Sequence, residues 1–168
     1  MGLSKLNYLY RTLVLAHASH PHHQGKLPDA TAQTTLHNPT CGDTINLTVR
    51  IDDDKISDLK FTGSGCTISQ ASASMMGDVL IGKSVSDAQQ LIQAFSNLII
   101  GQKISAQAQE QLQDAAILGS VAQFPARIKC AALAWHAAQA ILEENKLKDA
   151  RSRMMRSSAF CLRACLKR

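Results

Sequence analysis

The residues able to do chemistry in this chain are three cysteines and one aspartate, each at an unusual place. "NPTCGD" (38–43) sets Cys41 between a turn-forming Asn-Pro and a Gly, with the Asp43 carboxylate two positions on. "GSGC" (63–66) brings Cys66 to the start of a helical pattern, and "FPARIKC" (124–130) puts Cys130 in the second turn after Pro125. A helix N-terminus favours the thiolate, the form that attacks sulfur and binds metal. Structural cysteines normally lie inside apolar stripes, whereas Cys41 and Cys66 are flanked by glycines that let backbone approach a ligand closely. The Cys41 loop therefore admits three readings: a nucleophile, part of a metal site, or a plain turn around a thiol. Asp43 would complete a Cys₃Asp tetrahedral set for a borderline-soft ion such as zinc. Against that, Asp43 also suits an Asx-turn at a strand start. Cys130, beside Ala131 and Ala132, equally suits a core position. Spacing does not decide, because the four residues are scattered.

The rest of the chain must supply the elements that hold these groups. Its 168 residues, 45% hydrophobic, suffice for one domain with a real core and exclude a disordered class. The net charge of +5 belongs to the C-terminus: residues 146–168 carry eight Lys and Arg against Asp149, leaving −2 for the remainder. That distribution, with 4% aromatic residues for base stacking, argues against nucleic acid as a partner. No run approaches a membrane span, and Arg11 interrupts the apolar N-terminal stretch, so a cytoplasmic protein is expected. Five cysteines, an odd number, favour thiolate or metal chemistry over a disulfide framework.

Leu6, Tyr10, Leu13 and His17 fall at helical spacing and predict a helix over 4–18. "SHPHHQG" ends it. His20, His22 and His23 there could bind metal, but they fit no standard ligand pattern and read rather as a solvated loop. "TINLTVRI" (44–51) and "KISDLKFT" (55–62) flank a "DDD" turn and predict a hairpin, with "TTLH" (34–37) as a third strand. Helices are expected at 69–82, after a Ser84–Asp87 cap up to Gly101, at about 111–121, and from Pro125 to Glu143. Strands first and helices after predict an α+β fold, a small three-stranded antiparallel sheet with helices packed on one face.

"NPTCGD", "GSGCTISQASASMM" and "FPARIKCAALAW" together resemble the U-type iron–sulfur assembly family, which includes IscU and the N-terminal part of NifU. "LYRTLVLAHASHPHHQGKL" is similar to that family's opening helix and loop. The likeness spans about residues 6–144, so it implies a SufE/IscU-like domain over 1–144 and a basic, disordered extension over 145–168. Within the family, "PARIKC" and the long interval from Cys66 to Cys130 resemble the SufU branch. Scaffold-type IscU proteins carry a Pro-Pro-Val-Lys chaperone site and a His before the third cysteine; here Phe124-Pro125-Ala126-Arg127 and Lys129 stand in those places, as residues supporting the site and its partners. The resemblance implies zinc held by Cys41, Asp43, Cys66 and Cys130, with Cys41 accepting sulfur from a SufS-like cysteine desulfurase and passing it to a cluster scaffold complex. Its alternative is an iron–sulfur cluster assembled on the same three cysteines. Cys161 and Cys165, one helical turn apart, are left as a ligand pair, a lipidation site, or part of a disordered tail.

Overall fold

Alternation of apolar residues sets the sheet. In the computed structural model, which describes the backbone of residues 3–165 and the side chains of 8–151, β1 (Ala32–Asn38), β2 (Asp43–Asp52) and β3 (Lys55–Ser64) form an antiparallel sheet with β2 in the centre. Ile45, Leu47 and Val49 of β2 point to one face and are fully buried. Leu59 and Phe61 of β3 join them, but Ile56 lies three positions before Leu59 and breaks the alternation. A register shift between Arg50 and Ile51 absorbs the odd residue, so Ile56 is buried on the same face.

The helices cover that face. Helix α1 spans Leu3–Ser19, α2 Thr67–Leu80, α3 Val85–Ile99, α4 Ala106–Gln111 and α5 Pro125–Cys165. The sequence leads one to expect an apolar stripe on α2. Instead "ASASMMG" is buried all round, because its small side chains let α1 and α5 pack against it from separate sides. Its hydroxyls are satisfied internally: Ser72 donates to the Ala131 carbonyl (2.6 Å) and accepts from the Trp135 indole N–H (3.1 Å). Trp135 in turn stacks on Phe95 of α3, ring centroids 4.0 Å apart, which ties three helices at one buried point. Ser84 caps α3 through the Asp87 amide (3.0 Å), and Pro125 opens α5 as the sequence predicts.

Two expectations change. The helix expected over 111–121 is divided: α4 ends at Gln111, Gln113 takes a positive φ of 50°, and residues Gln113–Gln123 form a 3₁₀ stretch. Leu112, Ala115, Leu118 and Val121 are buried and recur every third residue, the period at which 3₁₀ side chains eclipse. Helix α5 also runs past Glu143; its described backbone stays helical to Cys165, with a Glu144–Lys148 pair at 2.8 Å on its surface. The side chains of Cys161 and Cys165 lie outside the described residues.

Candidate metal and thiol site

Three elements converge at one end of the sheet. The β1–β2 turn carries Cys41 and leads into Asp43, the first residue of β2; the β3–α2 junction carries Cys66; the second turn of α5 carries Cys130. Gly42 has φ 74°, a left-handed conformation that a Cβ would strain, and this lets the chain reverse within one residue of the thiol. One ligand atom each from Cys41, Asp43 and Cys130 lies within 4.8 Å of the others, and the Cys41 and Cys130 sulfurs are 3.0 Å apart. Cys66 stands beside them in a different role. Its amide donates to Asp43 Oδ1 (3.0 Å), and its sulfur caps α2 by accepting from the Ser69 amide (3.4 Å). It also interacts with the Asp43 carboxyl and the Cys130 thiol.

The three thiols differ in access. Cys41 and Cys66 are exposed, whereas Cys130 is buried under the turn. Burial pushes the Cys130 thiol well above its ordinary pKa, and its contacts with Cys41, Asp43 and Cys66 push the same way. Asp43 is 2% exposed. Burial raises its carboxyl, but the neighbouring Cys41, Cys130 and Cys66 thiols and the hydrogen bond from the Cys66 amide outweigh that and hold it below the usual carboxylate range. Its Oδ2 nevertheless has no hydrogen-bond partner. A buried carboxylate oxygen without a donor, beside two thiols in contact, is the donor set of a borderline-soft cation, so these residues fit zinc.

Asn38 belongs to this site, although the sequence reading passes over it. Its Oδ1 accepts from the Thr40 amide (3.1 Å), closing an Asx-turn, which frees Nδ2 to donate to the Cys41 sulfur (2.8 Å) and approach that of Cys130 (3.9 Å). The signal was present in the Asn of Asn-Pro, three residues before the thiol. Lys129 reaches the loop through Thr40 (3.3 Å), while Arg127 lies over the Phe124 ring at 4.6 Å. Leu36, Pro39, Ile128, Ala132 and Leu133 line an apolar groove of about 350 Å³ alongside Asn38 and Lys129. The loop histidines depart from expectation: His22 and His23 hold Asp78 rather than standing free in solvent. Among the described residues no helix is long and apolar enough to cross a membrane.

Comparison with known proteins identifies the family. The family described as NifU-like N terminal domain matches residues 9–152. The chain is 53% identical to the iron–sulfur cluster assembly scaffold protein IscU of Streptococcus pyogenes over 82% of its own length and 84% of that protein's. It is 41% identical to the zinc-dependent sulfurtransferase SufU of Bacillus subtilis, over 80% and 89% respectively. A solved structure from Fervidobacterium islandicum AW-1, named as an iron–sulfur cluster assembly scaffold protein for the SUF system, superimposes with a TM-score of 0.74 at 29% identity, covering 81% of this chain and 98% of that one. The chain thus belongs to the NifU-like N-terminal domain family of iron–sulfur cluster assembly, alongside relatives named IscU and SufU.

Proposed function

We infer that this family member is a sulfur carrier: Cys41 takes sulfur from the persulfide of a SufS-like cysteine desulfurase and hands it to a cluster scaffold complex. The observation that carries the reading is the asymmetry of the thiols: Cys41 is exposed on a Gly42 turn and takes the Asn38 hydrogen bond, Cys66 is exposed but engaged as the cap of α2, and Cys130 is buried. In the transfer, the Cys41 thiolate attacks the outer sulfur of the desulfurase persulfide. A Cys41 S–S bond forms, the donor's S–S bond breaks, and the donor cysteine leaves as thiolate, with no net oxidation. Asn38 donates a hydrogen bond to the attacking sulfur, and Lys129 keeps a positive charge beside the loop. Cys41, Asp43, Cys66 and Cys130 would hold zinc, which when bound keeps the thiols ionised and shielded from oxidation. Reduced thiols suit the cytoplasm.

The 53% identity to a relative named as a scaffold favours a second reading, in which the same three cysteines carry an iron–sulfur cluster as cargo. Metal content on purification separates the two: colourless protein with zinc supports the carrier, brown protein with iron and sulfide the scaffold. The direct test incubates the full chain with a desulfurase and cysteine and locates the added sulfur by mass spectrometry. A persulfide on the Cys41 peptide is expected; one on Cys66 or Cys130, with none on Cys41, overturns the assignment.

A further inference from the structure

We propose that the chain holds a second metal site, built from His17, His22 and Asp78 for a borderline divalent cation of the zinc class. A ring nitrogen of His17, one of His22 and a carboxylate oxygen of Asp78 lie within 4.8 Å of one another. They come from three segments: the C-terminal turn of α1, the loop after it, and the last turns of α2. Two imidazoles and a carboxylate are a nitrogen–oxygen set of the kind that takes zinc, cobalt or nickel, with no thiol needed. Ligands of such an ion stand about 2.0–2.1 Å from it, hence at most about 4 Å apart, so the group needs only a small closure. His22, whose side chain is 56% exposed, is free to supply it and leaves room for water to complete the coordination.

What distinguishes this cluster from a chance meeting of histidines is that the remaining atoms of the ligands are also held. His17 is 4% exposed; its Nδ1 is fixed by the Ser74 hydroxyl at 2.8 Å, and its Nε2 lies 3.4 Å from Asp114 Oδ2, a long contact that a bound ion would replace. The same hydroxyl accepts the His22 amide (2.8 Å), which anchors the loop that carries the second ligand. Asp78 shares its oxygens between His22 Nδ1 and His23 Nε2, each at 2.8 Å, so His23 orients the carboxylate from outside. Such partners around ligating groups are the usual supporting shell of a metal site. The helix surface is cut to admit His23: a Cβ on Gly77 would lie 2.4 Å from the His23 ring, and His23 takes a positive φ of 59° to seat there. Asp78 is twelve residues beyond Cys66 on the same helix, about 18 Å along its axis, so the two sites do not share ligands.

The full chain, stripped with chelator and titrated with Co²⁺, provides the test. Two ions per chain are expected. His22→Ala and Asp78→Asn should each lose one ion while leaving unchanged the thiolate-to-cobalt charge-transfer band of the cysteine site. His23→Ala, which removes only the outer support, should weaken the second ion about 10–100-fold. A Cys41→Ser, Cys130→Ser double variant should lose that band yet keep one ion at the histidines, so failure at the cysteines is read separately. A wild-type chain that binds a single ion showing the thiolate band, or full stoichiometry retained in both His22→Ala and Asp78→Asn, overturns the proposal.

Discussion

At the scale of single residues, the hydrogen bond from Asn38 to the Cys41 sulfur is the contact with the most direct chemical consequence. Hydrogen bonds to charged partners contribute about 1.5–3 kcal/mol, so Asn38→Ala should slow persulfide uptake at Cys41 by at least about tenfold, measured as the rate of sulfur transfer from a desulfurase. Cys41→Ala should abolish uptake in a chain that still folds, since its side chain is exposed. Asp43→Ala is more discriminating. Three thiolates and a water still satisfy zinc, so metal should remain by elemental analysis while transfer falls; complete zinc loss would show that the carboxylate is indispensable to binding.

Among the elements, α2 is the organiser: it presents Cys66 at one end and Asp78 at the other, and packs on α1 and α5 between them. Trp135, fully buried between Phe95 and Ser72, locks α5 to it. Trp135→Ala should cost about 3–5 kcal/mol in urea unfolding, through lost contact area and the cavity left behind. The Asp78 carboxyl links stability to pH. Burial raises its pKa, but the hydrogen bonds of His22 and His23, with their charges, more than offset that, and the folded value lies below the ordinary one. A depressed carboxylate contributes stability above its unfolded pKa of about 3.9, and that stability is lost as pH falls through the folded value. In chelator-treated protein, Asp78→Asn should therefore flatten the acid limb of the stability curve below about pH 4.

On the scale of the whole molecule, we propose that the domain closes near residue 144: among the described side chains of α5, Ile141 and Leu142 are the last buried ones, and Lys146 to Arg151 are exposed. Truncation after residue 145 should thus leave zinc content, desulfurase stimulation and melting temperature intact, since the described side chains it removes, 146–151, are exposed and the segment's +7 charge lies beyond every motif of the site. Loss of stimulation alone, with zinc retained, would assign the basic segment to partner attachment through charge.

The hairpin, the third strand, the caps of α3 and the start of α5 were legible in the sequence because each depends on residues a few positions apart: period-two alternation, a Ser three residues before an Asp, a proline at a first turn. The motifs around Cys41, Cys66 and Cys130 were legible for the same reason. Distances across the chain were not. Cys41 and Cys130 are 89 residues apart, and His17 and His22 reach α2 over 57 and 56 residues. Helical spacing put His17 on the face that α1 buries, but could not place Ser74 and Asp78 opposite it. The histidines of "SHPHHQG" accordingly read as solvated, and Asn38 as a turn residue. Only when the sheet buries its apolar face under α2 and α5 are these groups brought together, because that burial fixes which ends of the helices meet which turns.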